Sequence, residues 1–214
     1  MSVSPLMRSS LLLPFLGALL LAGTLAGCGS DASAPAYRQE VIQERVQRDM
    51  QMREKNSVVP PRRRDAFRGL DYYAVDTTYR YVVPLERRAR PDTVMMAQST
   101  GGMDTQVRIG RVTVPMPSGA RTLAVFRGAS DDPRGRLWIP FADATNEDST
   151  YSGGRYVDLR SAPGDSVEVD FNRAYNPTCA YNPEFACPLP PPQNQLEVPV
   201  PAGEKRPQFG GSAS

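Results

Sequence analysis

The sequence contains no histidine, and this absence excludes several kinds of site. Without an imidazole there is no Ser-His-Asp or Cys-His catalysis and no histidine-ligated zinc or copper. Lysine is also scarce, because Lys55 and Lys205 are the only two. Any catalysis would therefore use carboxylates, tyrosines, cysteines or these lysines, and no motif predicts a cofactor.

The charge is nearly balanced, with 25 basic and 23 acidic residues and a formal net charge of +2. An excess of positive charge is the usual electrostatic footprint of nucleic-acid binding, and this chain does not have it. We therefore expect no nucleic-acid partner.

The first 28 residues have the pattern of an export signal rather than of a folded segment. Arg8 is followed by an apolar run over residues 11–25 and then by Leu25-Ala26-Gly27-Cys28. A charged start, an apolar middle and small residues before the cut are typical of a secretory signal, and the last four residues resemble a bacterial lipobox. The sequence therefore predicts a signal peptide at 1–27 and lipidation of Cys28, which would hold the chain on the lipid bilayer.

The alternative is an uncleaved membrane helix, for which the apolar run is long enough. Pro14 and the lack of a basic flank after the run argue against a membrane span. We expect an extracytoplasmic protein of the cell envelope, and Gly29 would suit the outer membrane if enterobacterial sorting rules apply.

The mature chain divides into a tether, one domain and a tail. Residues 28–36 are small and polar, as expected of a tether between lipid and domain. Residues 37–55 predict a helix, since they contain no Gly or Pro and hold several opposite-charge pairs at i,i+4. The apolar residues of this helix form two rows: Tyr37, Val41 and Met52, and Ile42, Val46 and Met50. A single domain is expected over 37–206, followed by a frayed tail at 207–214.

From residue 72 onward the hydrophobic period changes from that of a helix to that of a strand. The alternating runs are 79–83, 112–114, 137–141, 157–159, 167–171 and 196–200, with 123–126 apolar on both faces. Roughly eight or nine short strands with turns between them predict a mostly β fold, an antiparallel β-sandwich or barrel-like domain with an N-terminal helix. The arginine runs 62–64 and 87–90 would either contact anionic lipid headgroups or lie in solvated loops, and we interpret them as solvated loops.

Residues 170–196 differ from the rest of the chain, because a long proline-rich loop follows a strand there. Prolines fix φ and make such a loop rigid, and long rigid loops are often functional. In an exported protein, Cys179 and Cys187 predict a disulfide. A redox role is weaker because the spacing is not C-x-x-C, and a thiolate metal site would lack further ligands.

A set of short motifs runs along the chain: Gly69-Leu70-Asp71-Tyr72-Tyr73, Ile139-Pro140-Phe141-Ala142-Asp143-Ala144-Thr145, Thr150-Tyr151 with Gly154-Arg155-Tyr156, Asp170-Phe171-Asn172-Arg173-Ala174-Tyr175-Asn176-Pro177, Cys179-Ala180-Tyr181, Cys187-Pro188-Leu189-Pro190-Pro191 with Asn194, and Ala202-Gly203-Glu204-Lys205. Through these motifs the chain resembles the bacterial domain-of-unknown-function family 1684. The resemblance covers roughly residues 37–206, nearly all of the mature chain. It implies no activity and assigns no role to any residue.

Polar side chains share one face of the predicted strand before the long loop. Glu168, Asp170 and Asn172 lie together there, because side chains alternate across a strand. This face is either a solvated sheet surface or part of a site over which the 173–196 loop folds. In the second case Asp143, at the end of another strand, would approach Asp170. Two carboxylates in one cleft can act as general acid and base, or as acid and nucleophile on a glycosidic bond.

The candidate binding or catalytic residues are Asp143, Tyr151, Arg155, Asp170, Asn172, Tyr175, Asn176 and Tyr181. Six tyrosines, together with Trp138, would line a groove for sugar or peptide, or equally would pack within a β core: Tyr72, Tyr73, Tyr151, Tyr156, Tyr175 and Tyr181. Asp143 to Asp148 carry alternating oxygen ligands but lack the Gly and distal Glu of a calcium loop, so no metal is predicted. We favour a ligand-binding or structural module that recognises an envelope glycan, peptide or protein. The alternative is a carboxylate-dependent hydrolase acting on envelope glycan.

Overall fold

The computed structural model describes residues 1, 33–128, 135–146 and 148–210. Cys28 and nearly all of the predicted signal peptide lie outside these residues. Within the described ranges, no helix combines the length and the apolar character that crossing a bilayer requires.

The described residues form two α-helices followed by eight strands, with short 3-10 helices between and after them. The α-helices are α1 (Ser33–Met52) and α2 (Pro61–Arg64). The strands are β1 (Arg80–Pro84), β2 (Glu86–Ala97), β3 (Met103–Met116), β4 (Gly119–Arg127), β5 (Leu137–Phe141), β6 (Arg155–Asp158), β7 (Arg160–Ser161) and β8 (Ser166–Asp170). The 3-10 helices are Thr77–Tyr79, Phe171–Arg173, Thr178–Ala180 and Pro192–Asn194.

The strands form two antiparallel sheets that share one core. The five-stranded sheet has the order β2-β3-β4-β5-β6, and the three-stranded sheet has the order β1-β8-β7. Val112, Leu123 and Ile139 from the first sheet belong to the same buried cluster as Val83 and Val169 from the second. This confirms a mostly β, antiparallel fold with an N-terminal helix. In the described part of the chain the sheets do not close into a barrel and are arranged as a sandwich.

The predicted N-terminal helix is present as α1, although it begins earlier than residue 37 and ends at Met52 rather than 55. Pro35 fits into its first turn, where a missing N–H costs no intrahelical hydrogen bond. One predicted apolar row, that of Tyr37, Val41 and Met52, is buried. The other row, that of Ile42, Val46 and Met50, is exposed to solvent. The helix therefore packs on the domain through a single face.

Residues 196–200 were wrongly predicted to form a strand. Leu196 and Val200 are buried, which explains the alternating pattern. Pro199 and Pro201 have no amide hydrogen to donate to a neighbouring strand. The segment instead crosses the sheet edge, where the Leu196 N–H donates to the Ala142 carbonyl at 2.8 Å.

The second arginine run was wrongly interpreted as a loop, because it lies in β2. The register between β2 and β3 shifts between Arg87 and Asp92, which accommodates Pro91 in the strand. At this bulge the strands approach so closely that a Cβ at Gly110 would clash with the carbonyl of Glu86. Glycine is therefore required there. The first arginine run lies in the short helix α2.

Candidate functional site

The polar face of β8 is covered by α1. The Tyr37 hydroxyl donates to both carboxylate oxygens of Asp170, at 2.9 and 2.8 Å. Glu168 on the same face is 8% exposed and accepts a 2.7 Å hydrogen bond from Arg80 Nε. The interpretation of this face as a solvated surface was therefore wrong, and the element that covers it is α1 rather than the 173–196 loop.

Asp170 and Asn172 are held by internal hydrogen bonds. Asp170 caps the 3-10 helix that follows it, accepting from the Asn172 amide at 3.0 Å, and it also pairs with Arg173. The Asn172 side chain is fully buried, accepting from the Asp76 N–H at 2.8 Å and donating to the Asp76 carbonyl at 2.7 Å. Both side chains thus fix the position of the segment that enters the long loop.

Asp143 and Arg155 form an ion pair in the interior. Their side chains are both fully buried, and Arg155 Nη2 lies 2.8 Å from Asp143 Oδ2. Asp143 also accepts from the Thr145 amide at 2.9 Å and from the Val200 amide at 3.1 Å. Among the described residues Asp143 and Asp170 share no hydrogen-bonding partner, and each faces its own arginine. The structure therefore gives no support to the hydrolase alternative.

Asn176 and Tyr181 meet around a buried carboxylate that sequence reasoning missed. Glu204 is fully buried and accepts from the Asn176 amide at 3.1 Å and from its side-chain nitrogen at 2.8 Å. The Asn176 nitrogen also lies 3.5 Å from the Tyr181 hydroxyl. Burial raises the pKa of Glu204 to about 7, although Arg48 Nε lies 3.6 Å away. The available signal was the motif around residue 204, where a charged residue lies among small ones.

The predicted disulfide is absent from the structure, since Cys179 and Cys187 are both free buried thiols. Cys187 Sγ instead accepts from the Cys179 amide at 3.1 Å, and the Tyr151 hydroxyl lies 3.9 Å from Cys179 Sγ. Hydrogen bonding from Cys187 lowers the pKa of Cys179 to about 6, and the same contact raises the pKa of Cys187. No cluster of three or more acidic or thiol side chains that would hold a metal ion occurs in the described residues.

A pocket of about 470 Å³ lies between α1 and the sandwich, and we call it the α1 pocket. It brings together two of the predicted residues, Asn172 and Tyr175, with Val41 on its α1 side. Its charged lining residues are five arginines and two acids: Arg45, Arg48, Arg136, Arg160, Arg173, Glu44 and Asp158. Cations are therefore in excess at this pocket.

Two of these arginines, Arg45 and Arg48, are placed on one face of α1 by their i,i+3 spacing. Both Nη atoms of Arg45 donate to neutral backbone carbonyls, those of Tyr73 and Asn172, at 2.8 Å each. Its guanidinium also lies 4.5 Å from the centroid of the Tyr72 ring. Burial lowers the pKa of Arg45, because the charged form is desolvated.

Three buried polar atoms at the α1 pocket have no hydrogen-bond partner among the described residues: Arg45 Nε, Arg48 Nε and the Tyr72 hydroxyl. Burial raises the pKa of Tyr72, so its hydroxyl stays protonated and remains a donor. The three atoms are therefore buried hydrogen-bond donors on residues that line one pocket. Sequence reasoning singled out Tyr72 as a possible groove residue, but it named neither Arg45 nor Arg48, which lie far from Tyr72 in the chain.

The other arginines of the pocket are already paired. Arg160 and Arg173 both bind Glu44, with a 2.7 Å contact in each pair. Arg136 Nη1 lies 3.4 Å from Asp158 Oδ2. Of the remaining two, Arg48 Nε lies 3.6 Å from the buried carboxylate of Glu204, whereas the hydrogen bonds of Arg45 go to neutral carbonyls. Arg45, with Arg48 beside it, is thus the residue through which the pocket would bind an anion.

A larger pocket, of about 570 Å³, lies on β2, β3 and β4, and we call it the β2–β4 pocket. It is on the face turned away from the core, since Thr122 and Ala124 line it while their neighbours Leu123 and Val125 are core residues. It also carries four arginines, namely Arg87, Arg88, Arg108 and Arg111. Arg88 and Arg111 are 46% and 64% exposed, and among the described residues none that lines this pocket has a buried side-chain polar atom without a hydrogen-bond partner. We therefore place the functional site at the α1 pocket despite its smaller volume.

The sequence matches the family described as "Protein of unknown function (DUF1684)" over residues 65–205. It is also similar to an uncharacterized protein from gene locus rrnAC0354 of Haloarcula marismortui, whose structure was solved by solution NMR. The two are 32% identical, with a TM-score of 0.64, over 82% of this chain and 97% of that one. None of the curated proteins matches the chain. By the extent of its match, the chain belongs to this family of proteins of unknown function, DUF1684.

Proposed function

We propose that this protein is held on the envelope bilayer by a lipid on Cys28, and that its β domain binds an oxyanion-bearing ligand in the α1 pocket. The export and lipidation pattern of residues 1–28 supports the location. The pocket supports the binding role. The protein is thus a tethered binding module.

The observation that carries the binding proposal is the set of three buried donors at one pocket, on Arg45, Arg48 and Tyr72. A buried polar atom without a partner costs free energy, because it has lost its hydrogen bonds to water. Carboxylate and phosphate oxygens can accept from all three donors, and guanidinium groups bind both with fork geometry. An oxyanion at this position would therefore satisfy the donors and balance the charge of Arg45.

The pocket also has the size of a small-molecule site. Its volume of about 470 Å³ falls within the range of roughly 300 to 1,000 Å³ that is typical of ligand pockets. The Tyr175 ring lines it and lies 4.9 Å from the Arg48 guanidinium. Together these groups combine an apolar wall with cationic donors.

Binding is tested by thermal melting of the mature chain, purified in detergent, with inorganic phosphate and with sodium acetate against sodium chloride at equal ionic strength. An anion that binds the folded state at about 100 times its Kd stabilises it by about 2.7 kcal/mol, a shift of several degrees. We expect a shift with at least one of the two oxyanions, and equal midpoints in all three salts would contradict the proposal.

The variants for this test are matched between the two pockets. Arg45→Met or Arg48→Met should abolish the shift, whereas Arg108→Met, in the β2–β4 pocket, should leave it unchanged. Arg48→Met also removes the cation beside the buried Glu204, so both α1 variants are compared with the wild type for folding before the salts are added. A shift that persists in both α1 variants would place the binding elsewhere.

The anchor is tested separately, by growing cells with a clickable fatty acid and separating membranes from soluble protein. The protein should carry the label and remain with the membranes. Cys28→Ser should lose the label and leave an uncleaved precursor. An unlabelled protein in the soluble fraction would refute the anchor without bearing on the pocket.

A further inference from the structure

A second pocket continues from the α1 pocket along the outer surface of the five-stranded sheet. It has a volume of about 310 Å³, and we call it the aromatic pocket. Arg136, Asp158 and Tyr175 line both pockets, so the two are neighbours with a shared wall. A ligand that occupies both pockets would pass over this wall, in which the Tyr175 hydroxyl donates to Asp158 at 2.9 Å.

Aromatic rings form the floor of this second pocket. The ring centroids of Trp138 and Tyr156 are 4.7 Å apart, and those of Tyr156 and Tyr175 are 5.9 Å apart. Trp138 lies on the side of β5 opposite the core residue Ile139, and it is only partly buried. Its indole ring thus offers an apolar surface on which a flat or ring-shaped group can lie.

Hydrogen-bond acceptors surround the rings. Gln106 is 5% exposed and donates to Asp104 at 2.7 Å, while its carbonyl oxygen Oε1 is buried with no partner among the described residues. Asp104 and Asp158 add carboxylate oxygens to the lining. A purely apolar ligand would leave these acceptors without water and without partners, which is costly. The lining therefore favours a ring that carries hydroxyl donors.

We infer that the ligand of the α1 pocket is an acidic sugar, whose oxyanion binds Arg45 and Arg48 while its ring lies on Trp138 in the aromatic pocket. This inference rests on the proposed binding function and adds the ligand class to it. Sugar rings present apolar C–H faces to an indole and hydroxyl groups around their edge. Both features match the aromatic pocket, and the charge matches the α1 pocket. Carboxylated and phosphorylated sugars share this chemistry.

The single tryptophan of the chain allows a direct experiment. We would titrate the mature chain in detergent with glucuronic acid, glucose 6-phosphate, glucose, inorganic phosphate and adenosine monophosphate, following Trp138 fluorescence and calorimetry. At least one acidic sugar should change the Trp138 emission and bind about tenfold or more tightly than phosphate or glucose alone. A tenfold difference in affinity is about what one contact with an aromatic ring contributes. The two acidic sugars distinguish a carboxylate source from a phosphate source.

The variants separate this inference from the proposed function. Trp138→Leu should remove the advantage of the acidic sugar but leave phosphate binding in place, as read by calorimetry. Gln106→Leu should weaken the acidic sugar by a smaller factor and serves as a second variant if Trp138→Leu does not fold. Arg45→Met should abolish binding of every anionic probe.

The outcomes are distinct. If phosphate binds and no acidic sugar binds more tightly, the inference is overturned while the proposed function stands. If glucose binds as tightly as its acidic forms, or adenosine monophosphate binds more tightly than both acidic sugars, the sugar-acid assignment is also overturned. If no anionic probe binds, the proposed function itself fails.

Discussion

Two arginine-rich pockets occur in this molecule, and they differ in burial rather than in charge. The β2–β4 pocket is the larger, and Arg111 beside it is 64% exposed and 2.8 Å from Glu86. In the α1 pocket, the Nε atoms of Arg45 and Arg48 are buried and have no hydrogen-bond partner among the described residues, although Glu204 lies 3.6 Å from the second. In water an exposed ion pair is worth little, because solvent screens it and two long side chains lose freedom. A buried donor, in contrast, gains most of a hydrogen bond when a ligand arrives.

The same contrast extends through the whole domain. On the side of the domain where α1 packs, several charges are buried. The Asp143–Arg155 pair is one example. On the other side, formed by β2 and β3, charged residues such as Arg88 and Asp92 form ion pairs with one another at the protein surface. We therefore expect substitutions to have large effects on the first side and small effects on the second. Four measurements test this expectation, from the largest effect to the smallest.

The largest loss is expected for Arg155→Met. It leaves the Asp143 carboxylate fully buried without its cation, and breaking such a pair costs about 3 to 5 kcal/mol. Chemical denaturation of the mature chain measures the free energy of unfolding, and the variant is compared with the wild type provided that their m-values agree. The double variant Asp143→Leu with Arg155→Met should recover part of the loss, because it leaves no unpaired charge. If Arg155→Met lowers the free energy of unfolding by less than about 1 kcal/mol, the expected difference between the two sides is contradicted.

The second effect is a pH dependence caused by Glu204. Burial raises its folded pKa to about 7 from an ordinary value of 4.5, so the folded state holds this proton more tightly than the unfolded state. The stabilisation is fully present below pH 4.5 and is lost as the pH rises to about 7. The change amounts to roughly 3 kcal/mol. Glu204→Gln should remove this slope from the unfolding free energy. Parallel pH profiles for the two proteins would show that Glu204 titrates normally.

A smaller effect is expected for Tyr37→Phe, which removes the hydroxyl bonded to Asp170. A hydrogen bond to a charged group contributes about 2 kcal/mol, and its loss should lower the unfolding free energy accordingly. Tyr81→Phe is the matched control, because the Tyr81 hydroxyl is buried with no partner among the described residues. That change should be neutral or slightly stabilising. Equal effects of the two changes would mean that α1 is not held through Tyr37.

The smallest effect is expected for Arg111→Met on the exposed side. Its partner Glu86 is 49% exposed, so the pair is solvated on both ends. The loss should be less than about 1 kcal/mol and should vanish in high salt. Denaturation at low and high ionic strength measures it. A loss as large as that of Arg155→Met would show that exposure does not separate the two sides.

Much of the fold could be predicted from local pattern alone. Alternation placed β1, β5 and β8, and the absence of Gly and Pro together with i,i+4 charge pairs placed α1. The failures have physical causes that local pattern does not contain. Leu196 and Val200 alternate like strand residues, but the prolines beside them prevent sheet pairing. β2 is exposed along most of its length and carries many charges, so it lacks the apolar alternation by which a strand is recognised in a sequence.

The candidate site could be predicted only in part. Tyr72, Asn172 and Tyr175 were singled out and do line the α1 pocket, but Arg45 and Arg48 were not. A polar sheet face has the same sequence pattern whether water or a helix covers it, so the position of α1 had no local signal. The assembly of a pocket from distant segments is a tertiary property. Short-range periodicity therefore cannot reveal it.

The match to the family begins at residue 65, whereas α1 ends at Met52. The helix that supplies Arg45 and Arg48 thus precedes the matched stretch, yet Tyr37 on the same helix binds Asp170 of the β domain. Deleting this short segment would therefore remove two arginines of the pocket and the hydroxyl bound to Asp170 in a single step.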